Sequence, residues 1–308
     1  MTTNAIQSSH IYSTYFAPRG RSRIYTLGMQ IAQLYLSPFD QIIGFIGEAG
    51  SGKSVLIKGM FPGIELTNDD DGVNVRPLPL LEQEYETGFF TPHTYHLDIR
   101  FETGFHQLSE LADAVQLAVR RGKRIIIEHF DLIYPLLGVN ANLLIGVGEQ
   151  IVITRPNLFG PLPQELCDIV YPSLAYRLMA HSAEDLCEYA MTQEQMLACS
   201  HGDIRHGFVL EFSEHQPDID IPTLEARVNE LIRQDLPIDY YDESHILLGG
   251  AQHYCTGPRT HVRSTGRIIG FRLLDHFIYD HFHKTYMLVG CVGDDSEENI
   301  RKLEKIHG

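Results

Sequence analysis

The chain has 308 residues, 44% hydrophobic and 21% charged, with a formal net charge of −16 at pH 7. The apolar content excludes a disordered chain, and the lack of any period excludes collagen-like or coiled-coil architecture. Forty acids against 24 Lys and Arg exclude a uniformly nucleic-acid-coating surface, which needs positive charge to meet phosphate. The length allows two domains, each with its own core. Five cysteines (Cys167, Cys187, Cys199, Cys255 and Cys291) form no Cys-x-x-Cys pair, which points to reduced thiols and a cytoplasmic protein. No basic start is followed by an apolar leader, and no apolar run is long enough to span a bilayer, so no membrane association is expected.

From residue 41 the chain reads QIIGFIGEAGSGKSVLIKGMF. A β-rich run (Ile42, Ile43, Phe45, Ile46) enters a glycine-dense turn, and a helix-compatible stretch leaves it. The turn satisfies G-x-x-x-x-G-K-[ST] in full: Gly47, Glu48, Ala49, Gly50, Ser51, Gly52, Lys53 and Ser54. Glycines let such a loop turn its backbone N–H groups inward onto phosphate. Lys53 can reach the β- and γ-phosphates of ATP, and the Ser54 hydroxyl can hold Mg²⁺. The run NDDDG at 68–72 reads as a solvated turn, or as a nucleotide-facing switch loop.

A phosphate loop of this kind needs an acid at a neighbouring strand end. Asp98 lies in TYHLDIRF, where alternating Tyr95, Leu97 and Ile99 suggest a strand; Glu128 ends the strand RIIIE, with Asp131 three residues on. Between them, Leu108, Leu111, Ala112, Val115, Ala118 and Val119 recur at helical spacing. Two further strand candidates lie in 141–156. Strand, helix, strand alternation predicts an α/β domain with a mainly parallel sheet.

After about residue 172 helical stretches (AEDLCEYAMTQEQML, TLEARVNELIRQ) precede strand-like runs (HILLGGAQHYC, GRIIGFRLLDHF, TYMLVGCVG) and a terminal helix starting near Asp295 or Ser296. This order predicts an α+β domain around an antiparallel sheet, with the domains at 1–172 and 173–308. Arg259, Arg263, Arg267 and Arg272 are either solvated strand residues or a small patch for RNA or phosphate. Arg19, Arg21 and Arg23 are expected either to fold over phosphates or to keep a terminus soluble.

The succession GEAGSGKS, YHLDIRF and IIIEHFD resembles the P-loop ATPase of bacterial threonylcarbamoyladenosine tRNA modification. That resemblance implies that Lys53 and Ser54 hold phosphate and Mg²⁺, that Asp98 is a metal-side acid, and that Glu128 is the acid of the second strand. His129 departs from the tryptophan that follows this acid in the family. RIIIEHFDLIYPLL also resembles uridine-kinase-like enzymes, although ITRPNLFGP lacks their arginine-rich lid.

The stretch CTGPRTHVRSTGRII at 255–269, preceded in order by HSAED, HGFVLEF and LEARVNELIRQDLPI, resembles the editing domain of threonyl- and alanyl-tRNA synthetases, also called the second additional domain. The resemblance implies a ligand set of His181, Asp185, Cys255 and His261, able to form a tetrahedral Zn²⁺ site, with His253 as a substitute ligand. Two residues are inserted in the Cys-to-His loop relative to the family.

These features predict an ATP·Mg-binding ATPase, coupled to an editing-like domain that takes an aminoacyl, nucleotide or tRNA-end ligand, with a protein partner as a further expectation. The alternatives are a nucleoside-kinase-like phosphotransferase acting on a small-molecule acceptor, and a metal-dependent aminoacyl-tRNA deacylase regulated by ATP.

Overall fold

The computed structural model describes residues 12–66, 93–213 and 215–307, so the run at 68–72 lies outside the described residues. The chain divides into two compact units: one comprises Met1–Ala17 and Arg21–Pro172, the other Pro18–Gly20 and Ser173–Gly308.

In the first unit the described strands form one six-stranded sheet in the order β1-β6-β5-β2-β4-β3, with β1 (Tyr12–Phe16), β2 (Ile42–Ile46), β3 (Thr94–Asp98), β4 (Arg124–Glu128), β5 (Leu143–Val147) and β6 (Gln150–Thr154). The four strands from β5 to β3 run parallel. β2 and β5 are buried at every position, and β4 at all but its first. Such continuous apolar runs suit parallel strands covered on both faces.

Ile43, Phe45, Ile126 and Ile145 pack on one face with Ile24 and Ile31 of α1 (Arg21–Tyr35) and Leu56 and Ile57 of α2 (Lys53–Met60). Ile125, Ile127 and Leu144 pack on the other with Val115 of α4 (Leu108–Arg120), after the single turn α3 (Ile99–Glu102), with Phe130 of α5 (Phe130–Leu137), and with Val170 of α6 (Pro163–Ala190). The spacing that predicts helix α4 also selects its buried side: Leu111, Ala112, Val115 and Ala118.

The sheet is mixed rather than uniformly parallel. β6 runs antiparallel to β5, and β1 antiparallel to β6. Only Gly148 and Glu149 separate β5 from β6, and a parallel return needs a crossover of a dozen residues or more.

In the second unit α6 is followed by α7 (Gln193–Ala198), α8 (Ile221–Arg233) and α9 (Ser296–His307). Among the described residues there are two antiparallel sheets where one was expected. One holds β9 (Ile238–Asp242), β10 (His245–Leu248) and β11 (Ala251–Tyr254). The other runs β12 (Arg272–Leu273), β14 (Thr285–Cys291), β8 (Gly207–Phe212), β7 (Cys199–Ile204), with β13 (Ile278–Asp280) also on β14. HILLGGAQHYC is a hairpin because Gly249 and Gly250 both take positive φ, 57° and 86°, which a two-residue strand reversal requires.

GRIIGFRLL is mostly irregular, with a short 3-10 turn at Thr265–Arg267 and only two residues in β12. Gly270, at φ 63°, leaves no room for a Cβ, which would lie 2.2 Å from the Gly293 carbonyl oxygen. The core gathers Ala183, Leu186, Phe208, Leu210, Leu224, Val228 and Leu288. Among the described residues no helix is long and apolar enough to cross a membrane.

Candidate functional sites

The Gly47–Ser54 loop joins the carboxyl end of β2 to the amino end of α2. β2 lies between β4 and β5, which both follow it in sequence, and open α/β sheets place ligands at the carboxyl ends of such central parallel strands. The loop backbone can be built only with glycine at key points. A Cβ on Gly47 would lie 2.5 Å from the Val147 carbonyl oxygen, and Gly50 and Gly52 have φ of 79° and 94°. At Gly50 the position of a Cβ opens onto free space, the kind of cradle a phosphate fills. Helix α2 starts with no side-chain cap, so its first N–H groups face the loop.

Lys53 is buried, and its Nζ donates to the carbonyl oxygens of Gly47 (3.0 Å) and Glu48 (2.8 Å). The strand register sets Glu128 opposite both Phe45 and Asp98, which brings the two acids together beside the loop. Ser54 Oγ donates to Glu128 Oε1 at 3.1 Å, His96 Nε2 lies 3.1 Å from the same oxygen, and Lys53 Nζ lies 3.7 Å from Glu128 Oε2.

Burial pushes the Glu128 carboxyl up. The hydrogen bond and charge of His96, the Lys53 ammonium and the Ser54 hydroxyl outweigh it and bring the group down to about 2. Burial lowers Lys53, against the opposing pull of Glu128 and Asp98.

Asp98 accepts a hydrogen bond from the Phe101 backbone N–H at 3.1 Å, capping α3. Of the two acids it is therefore Glu128, rather than Asp98, that bonds Ser54. Sequence reasoning assigned no role to His96 and treated His129 only as a departure from the family. His96 had a visible signal, because it sits two residues before Asp98 and shares its strand face. His129 takes φ 56° at the strand-to-helix corner and is buried, and its Nδ1 has no hydrogen-bond partner. Asp98, Glu128 and His129 offer ligand atoms within 4.8 Å of one another. With Ser54 beside them, the oxygens of this set fit a hard cation such as Mg²⁺.

In the second unit the residues singled out for zinc meet a different cation. Asp185, Cys255 and His261 come together, within 4.8 Å. The buried Arg19 guanidinium bonds Asp185 and Glu184, and its Nη2 lies 3.1 Å from Cys255 Sγ. His261 Nε2 donates to Asp185 Oδ2 at 2.7 Å. His181 lies apart from this group, with Nε2 3.4 Å from Asp203 Oδ1.

Burial alone would raise Asp185, but the charges of Arg19 and His261 hold it well below the usual carboxylate range. Burial, with Asp185 nearby, pushes the Cys255 thiol up to about 12. The Arg19 guanidinium, seated against Asp185 and Cys255, already supplies the positive charge that a Zn²⁺ ion at these residues would bring. Arg19 thus neither folds over phosphate nor keeps a terminus soluble, the two expectations for it. Arg259 stacks 4.5 Å over the Tyr240 ring near Glu243, and Arg272 pairs with Glu225 and Glu297. Each of these two arginines has an acid to answer it.

Comparison with known proteins finds no matching family model and no matching curated protein. The chemistry of both sites therefore rests on the residues themselves.

Proposed function

We propose that the first unit binds ATP with Mg²⁺ and cleaves the bond between its β- and γ-phosphates by hydrolysis, in a cycle coupled to ligand binding by the second unit. The observation that supports this most is the meeting of Lys53, Ser54 and Glu128 at a glycine loop whose geometry no other residue type could adopt at Gly47. Mg²⁺ supplies charge neutralisation for the phosphate oxygens. Ser54, Glu128 and Asp98 would be the oxygen donors for it. Lys53 and the first N–H groups of α2 stabilise charge on the phosphates.

Glu128, at about 2, is fully ionised at neutral pH and too weak a base to store a proton. Its part is to orient the attacking water and the metal. Water oxygen bonds to the γ-phosphorus, the bond to the β-phosphate oxygen breaks, and ADP and inorganic phosphate leave. His96 fixes Glu128 from the neighbouring strand.

The test is ADP release by the purified chain with Mg²⁺ and ATP, alone and with nucleosides, amino acids and bulk tRNA. Lys53→Ala is expected to lower the rate by a factor of about 100 or more. A rate indifferent to Lys53→Ala overturns the reading, and a nucleoside that emerges phosphorylated replaces hydrolysis with phosphotransfer.

A further inference from the structure

One helical turn beyond Asp185, α6 presents a third carboxylate to the interior of the second unit. Glu184, Asp185 and Glu188 are all buried, and their charges are unevenly answered. Arg19 takes Asp185 and one oxygen of Glu184. His201 of β7 donates from Nδ1 to Glu184 Oε1 at 3.0 Å. Glu188 pairs with imidazoles by charge alone. Its Oε1 is 3.2 Å from His201 Nδ1 but makes no hydrogen bond there, and its Oε2 is 3.9 Å from His253 Nε2, also beyond hydrogen-bond reach.

His253, on β11, is 8% exposed, and its Nε2 has no hydrogen-bond partner although it faces this carboxylate. Cys199, at the start of β7, completes the surroundings. Glu188, Cys199 and His201 offer ligand atoms within 4.8 Å of one another, and Glu188, His253 and Asp185 do the same. A buried carboxylate and a buried imidazole that face each other without bonding are an arrangement a protein interior avoids unless something sits between them.

We propose that the second unit holds one divalent transition-metal ion, best suited to Zn²⁺, between Glu188, Cys199, His201 and His253. One carboxylate, two imidazoles and one thiolate match the ligand types and number of a tetrahedral zinc site. In such a site neighbouring ligand atoms stand about 3.3 to 3.8 Å apart, given metal–ligand bonds of about 2.0 to 2.3 Å. Glu188 is the residue common to the two groups of close ligand atoms, one with Cys199 and His201 and one with His253. Glu184 then acts from outside the ligand set, accepting the His201 Nδ1 hydrogen bond and fixing the ring. The site adjoins Asp185 but shares no ligand with the group of Asp185, Cys255 and His261, where Arg19 already supplies positive charge, and it does not depend on nucleotide binding by the first unit.

Binding must displace the Cys199 thiol proton and any proton on the His201 ring, because the metal takes thiolate and neutral imidazole. The metal has to drive that ionisation, so affinity rises with pH.

The experiment titrates the full-length, metal-stripped chain with Zn²⁺ against a chromophoric chelator, and in parallel with Co²⁺ for its thiolate charge-transfer absorption. The expected result is one ion per chain, a thiolate-to-cobalt band that vanishes in Cys199→Ser, and Zn²⁺ affinity at least tenfold weaker in His253→Ala. His261→Ala should leave both readouts unchanged. His253→Gln, which keeps a polar side chain of similar size, guards against loss of folding, and circular dichroism of each variant checks it. Absence of stoichiometric Zn²⁺, a cobalt spectrum without the thiolate band, or binding lost in His261→Ala but kept in both His253 variants would each overturn the proposal.

Discussion

Arg19 shows how much one side chain can change a reading. Its guanidinium is buried against Asp185 and Glu184, and removing it strands two carboxylates in the core of the second unit. Arg19→Ala is expected to cost about 3 to 5 kcal/mol, the usual penalty for breaking a buried pair from one side, measured by urea unfolding of the full chain. The pH dependence follows from Asp185, whose folded-state pKa lies below its ordinary value of 3.8. The stabilisation is complete above about pH 5 and is lost as pH falls through the folded-state value. The gap between wild type and Arg19→Ala should accordingly narrow below about pH 4; a gap constant down to pH 2 would refute this account.

Among the elements, α1 and α2 meet backbone to backbone in the first unit. A Cβ on Gly59 would lie 2.2 Å from the Tyr25 carbonyl oxygen, and one on Gly28 would lie 2.5 Å from that of Leu56. Two glycines facing each other let the backbones touch, and that contact seats the helix that carries Lys53 and Ser54. Gly59→Val is expected to force the helices apart at a cost of about 1 to 3 kcal/mol. It should also lower ATP turnover while leaving the second unit's unfolding transition in place. If thermal unfolding is unchanged by Gly59→Val, the contact is not as tight as described.

The loop itself was legible in the sequence because each of its glycines answers a local steric demand. The strand end at Glu128 was legible too, whereas the helices that begin directly after Asp98 and His129 were not. TYHLDIRF reads as a strand through Ile99, whereas β3 ends at Asp98 and a helix follows at once; RIIIE reads as ending at Glu128, as β4 does, but the helix that follows from Phe130 is not marked. The Asp98 side chain stops β3 by capping α3, and His129 in a left-handed conformation stops β4. Neither event leaves a mark in hydrophobic periodicity.

For the molecule as a whole, a net charge of −16 at pH 7 and a pI of about 5.4 set its colloidal behaviour. Self-repulsion keeps copies apart at neutral pH and fades as the carboxylates protonate. Light scattering across pH 4.5 to 8 should show association strongest near the pI, and a minimum of association there would contradict the charge argument. The same balance leaves little basic surface for RNA. Arg259 and Arg272, two of the four arginines that read either as solvated strand residues or as a small basic patch, are each paired with acids.

Nearest-neighbour sterics and side-chain spacing are written along the chain, and what depends on them could be read there: the β2–loop–α2 unit, the buried side of α4, and the terminal helix at Ser296. Pairing across the fold could not. Arg19 meets Asp185 166 positions away, and Ser54 meets Glu128 across 74. His253 faces Glu188 only because β11 and α6 come together. Such meetings depend on strand order and on which segment joins which unit. Those are set by the burial of whole faces against one another, a cooperative quantity that no short stretch of sequence carries by itself.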